Sequence, residues 1–229
     1  MNAIGRMDFH THTFLSDGTL LPSELLRRAA VKGYVAVGIT DHADGSNIVT
    51  ILEQLCRLAA EYNYQFGGVS VLPGVELTHV PPERIAPLAR KAKELGAALV
   101  VVHGETIVEP VAEGTNEAAV RCPDVDILGH PGFVTLEQAR IAASNGIFLE
   151  ITSRGGHNQT NGHVAKVARA GGASLLVNTD AHSSADLMDL ATARRIAEGA
   201  GLESDEVERA NTTNARALWQ RALKRVCTR

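Results

Sequence analysis

The stretch Phe9-His10-Thr11-His12-Thr13-Phe14-Leu15-Ser16-Asp17-Gly18 decides how the rest of the chain is interpreted. It follows a short apolar run that begins near Met7. In an extended strand, side chains two residues apart point to the same face, so His10 and His12 can aim at one point. Asp17 can fold back from the polar loop that follows. Two imidazoles and a carboxylate are ligands that suit zinc, iron or manganese, so the segment predicts a metal site. Taken alone, the same segment is equally compatible with a buried strand that carries two hydrogen-bonded histidines.

Length and composition predict one cytoplasmic domain. No low-complexity linker divides the 229 residues, and no apolar run approaches the ~18 residues of a membrane span. The N-terminus lacks a signal-peptide pattern. A net charge of −4 argues against binding to long nucleic acids, which require a basic surface. The three scattered cysteines are interpreted as reduced thiols: Cys56, Cys122 and Cys227.

Short apolar runs alternate with amphipathic stretches, which is typical of parallel strands joined by helices. Strands are predicted at 7–10, 35–40, 69–77, 98–102, 125–128, 147–151 and 174–178. Helices are predicted at about 23–32, 48–64, 82–95, 116–120, 136–144, 163–170, 185–198 and 211–224. The chain therefore contains seven strand–helix units.

Side chains of the metal-ligand type stand at the ends of six of these strands. They are His12, Asp41 and His42, Glu76, His103, His130, and Asp180 with His182. In a barrel the carboxyl ends of the strands converge on one face, whereas an open, doubly wound sheet spreads them along a line at ~4.8 Å per strand. We therefore predict the α/β class and a closed, TIM-like (β/α)7 barrel.

The number of these residues predicts more than one metal ion, with a shared carboxylate such as Glu76 between two of them. Ions ~3.5–4 Å apart can deprotonate a water that bridges them and stabilise both ends of an in-line displacement. The chemistry that fits best is hydrolysis of a phosphate ester.

Taken in order, the motifs resemble those of the polymerase and histidinol phosphatase (PHP) superfamily. They are His10-Thr11-His12 with Ser16-Asp17-Gly18, Thr40-Asp41-His42, Gly74-Val75-Glu76, His103, Gly129-His130-Pro131, and Asn178-Thr179-Asp180-Ala181-His182. The match runs from residue 8 to about 183, and the chain resembles the small stand-alone, histidinol-phosphatase-like members. The resemblance implies one PHP domain over residues 1–229, with 184–229 as C-terminal helices packed on a distorted seven-stranded barrel.

The resemblance also implies a site for two to three divalent ions (Zn, Mn or Fe). The first ion would be held by His10, His12, Glu76 and Asp180, the second by Glu76, His103 and His130, and the third by Asp17, His42 and His182. Some relatives have histidine at the position of Asp17. An oxygen ligand there favours Mn²⁺ or Fe²⁺ over Zn²⁺ in the third position.

Three further residues are candidates for catalysis. Asp41 could orient the adjacent His42 ring or, equally, cap the next helix. Arg154, followed by two glycines, could clamp a phosphate with two parallel hydrogen bonds, the alternative being a surface turn. His79 could contact substrate or act as a general acid, or merely line the rim.

Two other features lie outside the matched motifs. The acidic loop 104–116 is interpreted as a solvated lid or as a binding surface for a cationic part of the substrate. His157 and His163 are interpreted as loop and helix residues, respectively.

The leading hypothesis is a metal-dependent phosphomonoesterase that acts on a small phosphorylated metabolite, with histidinol phosphate as one candidate. The main alternative is a phosphodiesterase or nucleotide-processing enzyme of the same superfamily. An amidohydrolase-type enzyme is a third hypothesis, although no strand-end lysine offers a bridging carbamate. A non-catalytic metal-binding domain ranks last because all nine expected ligands are present. We expect no membrane partner, and the sequence predicts no particular oligomeric state.

Overall fold

Residues 5–226 are described by a computed structural model of the chain, and their strands form one parallel sheet that curves into a nearly closed barrel. Seven strands follow one another around it in chain order, and the two-residue β3 continues the line of β2 beside β4. Their bounds are β1 Arg6–Asp8, β2 Tyr34–Ile39, β3 His42–Ala43, β4 Ser70–Leu77, β5 Leu99–His103, β6 Ile127–Gly129, β7 Phe148–Thr152 and β8 Leu175–Asn178. The predicted (β/α)7 barrel is confirmed.

Helices fill the connections between the strands. They are α1 Pro22–Val31, α2 Ile48–Tyr62, α3 Pro82–Glu94, α4 Thr115–Arg121, α5 Leu136–Asn145, α6 Asn161–Gly171, α7 Leu190–Gly199, α8 Ser204–Glu208 and α9 Asn214–Val226. A 3₁₀ turn, His157–Thr160, precedes α6, and a π-helical turn, Arg209–Thr213, joins α8 to α9.

Helix α7 begins five residues later than predicted. The carboxylate of Asp189 caps it by accepting from the backbone N–H of Thr192 at 2.8 Å. Asp186 meanwhile accepts from the backbone N–H groups of His182 and Ser183, which holds the chain before the cap in a turn. Side-chain bonds to the backbone thus delay the helix. The five-residue α8 was not predicted at all.

Successive residues of the strands point alternately into two apolar layers, because side chains alternate between the two faces of a strand. The inner layer includes Leu72, Leu99, Val101, Ile127, Phe148 and Leu176, and it is continuous with Ala215, Leu218 and Ala222 of α9. The outer layer packs against the surrounding helices. Helix α9 therefore closes one end of the barrel, which leaves the carboxyl ends of the strands as the open face.

The barrel closes irregularly between β1 and β8. Beyond the strand ends, the N–H of Asp180 donates to the carbonyl of His10 at 2.9 Å, and the N–H of His12 donates to the carbonyl of Ala181 at 2.8 Å. Lower down, the Asn178 side chain takes the place of a backbone partner by accepting from Phe9 N–H at 3.0 Å. Strand β1 consequently ends two residues before the predicted boundary, and the seam itself carries three of the predicted ligands.

A carboxylate clamped by cations marks the opposite end of the barrel. Asp126, directly before β6, lies 2.5 Å from Lys93 Nζ, 2.8 Å from Arg225 Nη1 and 3.1 Å from Arg221 Nη2. It also accepts from the N–H of Val100 at 3.0 Å. These contacts fix α3 and α9 to the base of the sheet.

The cysteines Cys56 and Cys122 are both thiols, and Cys227 lies outside the described residues. Among residues 5–226, no helix combines the length and apolar character that a bilayer span requires.

Candidate metal centre

The first predicted ligand group converges in the barrel mouth. His10 Nε2 lies 3.2 Å from Glu76 Oε1, and His12 Nε2 lies 3.2 Å from Asp180 Oδ1 and 3.5 Å from Glu76 Oε2. His10 and His12 sit on the extended segment after β1, Glu76 on β4, and Asp180 after β8. Two residues apart, the imidazoles do face one point, with ring centroids 5.1 Å apart.

The second predicted group lies beside it. His130 Nε2 is 3.4 Å from Glu76 Oε1, and the His103 and His130 rings meet edge to face at 4.4 Å. Ligand atoms of Glu76, His103 and His130 all lie within 4.8 Å of one another. Gly129 permits this packing, because a Cβ there would lie 3.1 Å from the His10 ring.

The third predicted group is nearer to solvent. Asp17 Oδ1 lies 3.2 Å from His182 Nε2 and 3.5 Å from His42 Nε2, and Asp17 is more than half exposed. His12 also reaches this group. Nδ1 of His42 faces Glu76 Oε2 at 2.8 Å, which leaves its Nε2 directed to the cluster. All nine predicted ligands are thus brought into one continuous constellation.

Several buried ligand atoms within residues 5–226 lack hydrogen-bond partners, which is what a site for cations requires. Among the described residues, His10 Nε2, His12 Nε2, Glu76 Oε1 and Asp180 Oδ1 are buried without a hydrogen-bond partner. A buried polar atom without a partner costs about 1–3 kcal/mol, so such groups are rare in native proteins. Imidazole nitrogens and carboxylate oxygens that converge in this way could hold divalent metal ions.

Burial and charge determine the protonation of this cluster. Burial opposes the charged form of His42, but the carboxylates of Glu76 and Asp17 together outweigh it and raise the pKa of His42 to about 10. Burial lowers the pKa of His103 to about 4 against the attraction of Glu76. Burial likewise opposes ionisation of Glu76, yet His10 and His42 hold its pKa well below the usual range. The metal-free cluster therefore combines an ionised Glu76 with a protonated His42 at neutral pH.

Binding of divalent ions is expected to tighten as the pH rises from about 7 to about 9, because a protonated His42, with its pKa of about 10, must lose a proton to become a ligand. Titration calorimetry in buffers of different ionisation enthalpy measures the protons released. An affinity that stays constant over this range, with no proton release, would contradict the assignment of His42 as a ligand.

Glu150 contacts two of the predicted ligands, His10 and His130, and the sequence analysis did not single it out. This fully buried carboxylate on β7 accepts from His10 Nδ1 at 2.8 Å, from Asn178 Nδ2 at 2.9 Å and from the N–H of His130 at 2.9 Å. It fixes the His10 ring with Nε2 directed at Glu76, as carboxylates behind metal-bound histidines commonly do. The available sequence feature was a lone acid within the otherwise uncharged strand 148–152.

Substitution of Glu150 by glutamine is expected to weaken metal binding or activity by about 10–100-fold, because the His10 ring loses an ionised acceptor that raises its basicity. Metal affinity of the full chain, measured by chelator competition, tests this. Glu53→Gln, on the exposed face of α2, is the matched control. Equal affinities in the two variants would remove the positioning role.

Asp41 makes contacts different from both of those considered. Its oxygens accept from the N–H of Thr13 at 2.7 Å and from the hydroxyls of Thr13 and Ser16 at 2.8 and 2.7 Å. It neither bonds to the His42 ring nor caps α2, which begins at Ile48. The buried carboxylate instead holds the loop that carries Asp17, and a catalytic role of Asp41 stays a prediction.

Arg154 lines a cleft of about 620 Å³ together with Ser153, Thr179 and Asp189. Its Nη1 lies 3.7 Å from Asp186 Oδ2, and one third of the side chain is exposed. The lining residue Thr179 directly precedes the predicted ligand Asp180 in the chain. Binding of a phosphate by Arg154 stays a prediction.

The acidic loop turns one carboxylate inward rather than standing wholly in solvent. Glu109 Oε2 lies 3.0 Å from His79 Nε2 and 3.2 Å from His103 Nε2, and its Oε1 lies 3.3 Å from His157 Nε2. His79 thus sits at the rim, and its catalytic role stays a prediction.

His157, interpreted from the sequence as a loop residue, lies in the 3₁₀ turn His157–Thr160 and next to the predicted ligand His130. It is buried, with its ring 4.3 Å from that of His130, and Thr106 Oγ1 lies 2.9 Å from its Nδ1. His163 is a helix residue, as predicted, and its Nε2 donates to the carbonyl of Val134.

Three site residues adopt a backbone conformation that non-glycine residues rarely use. The φ angles are +52° at His79, +24° at His130 and +53° at Asp180. Such strain costs of order 1–3 kcal/mol per residue and concentrates at functional sites.

Comparisons with known proteins find similar sequences and a similar fold. The PHP domain family matches residues 8–113. An uncharacterised protein of Methanocaldococcus jannaschii is 52% identical over 89% of this chain and 93% of its own length. A protein of Thermoanaerobacter sp. named "Probable phosphatase" is 29% identical over 88% of this chain and 89% of its own. A chain in the structure of archaeal Ribonuclease P with mature tRNA shares the fold, with a TM-score of 0.64 at 16% identity over 96% of this chain and 90% of that one.

Proposed function

The chain belongs to the PHP superfamily, and from this membership we propose that it is a metal-dependent phosphoesterase that hydrolyses a phosphate monoester of a small metabolite. The observation that carries the proposal is the convergence of unpartnered buried atoms from His10, His12, Glu76 and Asp180. The name of the Thermoanaerobacter relative supports the reaction class.

Bound divalent cations would supply a water ionised near neutral pH and would neutralise charge on the phosphate. The chain's own residues would position the reactants. Glu76 presents its two oxygens to different sides of the cluster, which suits a carboxylate shared by neighbouring cations. Arg154 would orient the phosphate from the cleft that it lines.

The charge distribution favours a small substrate. Acidic groups at the mouth, including Asp17 and Glu109, would repel the backbone of a long nucleic acid, and the chain carries a net charge of −4. The same groups would attract a cationic part of a phosphorylated metabolite. Histidinol phosphate, with its amine and imidazole, is one candidate.

The test compares two esters with one enzyme preparation. Full-length chain stripped with a chelator and reloaded with Mn²⁺ should hydrolyse p-nitrophenyl phosphate, and His10→Ala should lose this turnover. Hydrolysis of bis-p-nitrophenyl phosphate alone would favour the phosphodiesterase alternative. If a loaded enzyme hydrolyses neither ester nor any of a panel of phosphorylated metabolites, the proposal fails.

A further inference from the structure

The contacts of Glu109 define a further candidate cation position, which adjoins the three described above and shares His103 with the second of them. Glu109 Oε2, His79 Nε2 and His103 Nε2 approach one another, and one ligand atom from each residue lies within 4.8 Å of the others. Two imidazoles and one carboxylate are a common ligand set for divalent transition metals. We propose that these three residues form an outer cation site through which metal ions enter the buried centre.

Exposure changes steeply across this set. The side chains of His79 and Glu109 are 40% and 38% exposed, whereas His103 is 3% exposed and Glu76, behind it, is fully buried. The outer site therefore reaches solvent directly. The first and second positions behind it are enclosed, so an ion that arrives from solvent meets the outer ligands first.

His103 belongs to both the outer site and the second predicted position, so a cation can occupy only one of these two positions at a time. Nδ1 of His103 faces the carbonyl of Gly104 at 3.2 Å, which leaves Nε2 for a cation. One ring nitrogen binds one ion at a time, so His103 serves either the outer pair or Glu76 and His130. An ion on His103 can thus be passed inward by exchanging Glu109 and His79 for those two ligands.

Electrostatics sets the direction of transfer. The inner position is formed around the buried carboxylates Glu76 and Asp180, whose charges are little screened by solvent. Glu109 is solvated and shared among three imidazoles, since its Oε1 also faces His157 at 3.3 Å. The inner position therefore binds a dication more tightly, and the outer one exchanges it more readily.

The orientation of Glu109 is supported by its surroundings. Thr106 Oγ1 lies 2.9 Å from Nδ1 of His157, which directs the other ring nitrogen toward Glu109. The beginning and end of the loop are tied together, because the N–H of Asn116 donates to Glu105 Oε1 and Asn116 Oδ1 accepts from the N–H of Glu105. The carboxylate is therefore held at the mouth of the barrel.

The experiment follows uptake of Zn²⁺ by the full-length, chelator-stripped chain in a stopped-flow instrument, with a chromophoric chelator as competitor. Glu109→Gln, which loses a ligand and a steering charge, and His79→Gln, which loses a ligand only, should each slow uptake by about tenfold or more. The number and affinity of ions bound at equilibrium should stay close to those of wild type, because solvent and salt screen the exposed Glu109 and His79 from the buried ligands. Glu113→Gln, which removes the same charge from an exposed position on the same loop, should load at the wild-type rate.

Uptake rates in Glu109→Gln and His79→Gln equal to that of Glu113→Gln would overturn the proposal. So would the loss of a tightly bound equivalent, which would make these residues permanent ligands instead. The inference rests on the metal centre of the proposed function but not on hydrolysis. A chain that shows the predicted loading kinetics and cleaves no phosphate ester would refute the proposed function alone.

Discussion

Glu76→Gln is expected to lower phosphate-ester hydrolysis by about 10³-fold or more and to leave fewer metal ions bound per chain. Oε1 of Glu76 lies 3.2 Å from His10 Nε2 of the first predicted group and 3.4 Å from His130 Nε2 of the second, so one carboxylate serves two neighbouring cation positions. Metal ions supply several kcal/mol of charge stabilisation, and each ~1.4 kcal/mol is a factor of ten in rate. Glutamine keeps the shape but removes the charge.

Elemental analysis and kcat/KM on the reloaded protein measure both effects. Glu53→Gln, an exposed carboxamide substitution on α2, should behave as wild type. Circular dichroism establishes that the barrel has formed in both variants. A Glu76→Gln protein with the full complement of ions and turnover within tenfold of wild type would contradict the shared-carboxylate arrangement.

Asp126→Asn is expected to lower the free energy of unfolding by about 2–4 kcal/mol without changing the metal centre. Removing one partner of a buried ion pair costs about 3–5 kcal/mol, and the value here is reduced because Lys93, Arg221 and Arg225 are partly exposed and can reach water. The midpoint of urea unfolding should fall, while the number of ions bound stays constant.

The pH dependence of the free energy of unfolding provides a second test of the role of Asp126. Burial opposes ionisation of Asp126, but Lys93 and the two arginines outweigh it and lower its pKa. A depressed pKa stabilises the fold above the unfolded value of ~3.9, and this stabilisation is lost as the pH falls through the lower folded value. Asp126→Asn should lack this acid-dependent loss. Asp124→Asn, two residues earlier, is the matched control, and equal stability of the two variants would contradict the clamp.

Much of the fold follows from local patterns. The apolar runs and the helix stops at Gly33 and Gly96 locate most elements within a few residues, because burial on both faces and helix termination are properties of short segments. The late start of α7 depends on Asp186, whose bonds to His182 and Ser183 compete with the helix. That competition is settled by the surrounding fold rather than by propensity.

In the candidate site, too, some residues could be predicted from local sequence and others depend on the surrounding fold. Ligands placed at strand ends could be predicted, since barrel geometry brings all carboxyl ends to one face. Asp41 could not, because its partner Thr13 lies 28 residues away and only the folded loop brings them together. Glu150 and His157 have no motif of their own; their roles depend on which ring each one meets, at His10 and at His130.

Strand β6 is three residues long, with Asp126 just before it and His130 just after it. At about 3.3 Å per residue, the two side chains originate only ~13 Å apart. Asp126 nevertheless contributes to stability at one edge of the sheet and His130 to the candidate metal centre at the other, and different helices and loops contact each edge. In laboratory evolution, substitutions on α3 and α9 that raise heat tolerance can therefore be selected largely independently of substitutions in the loops that change substrate preference.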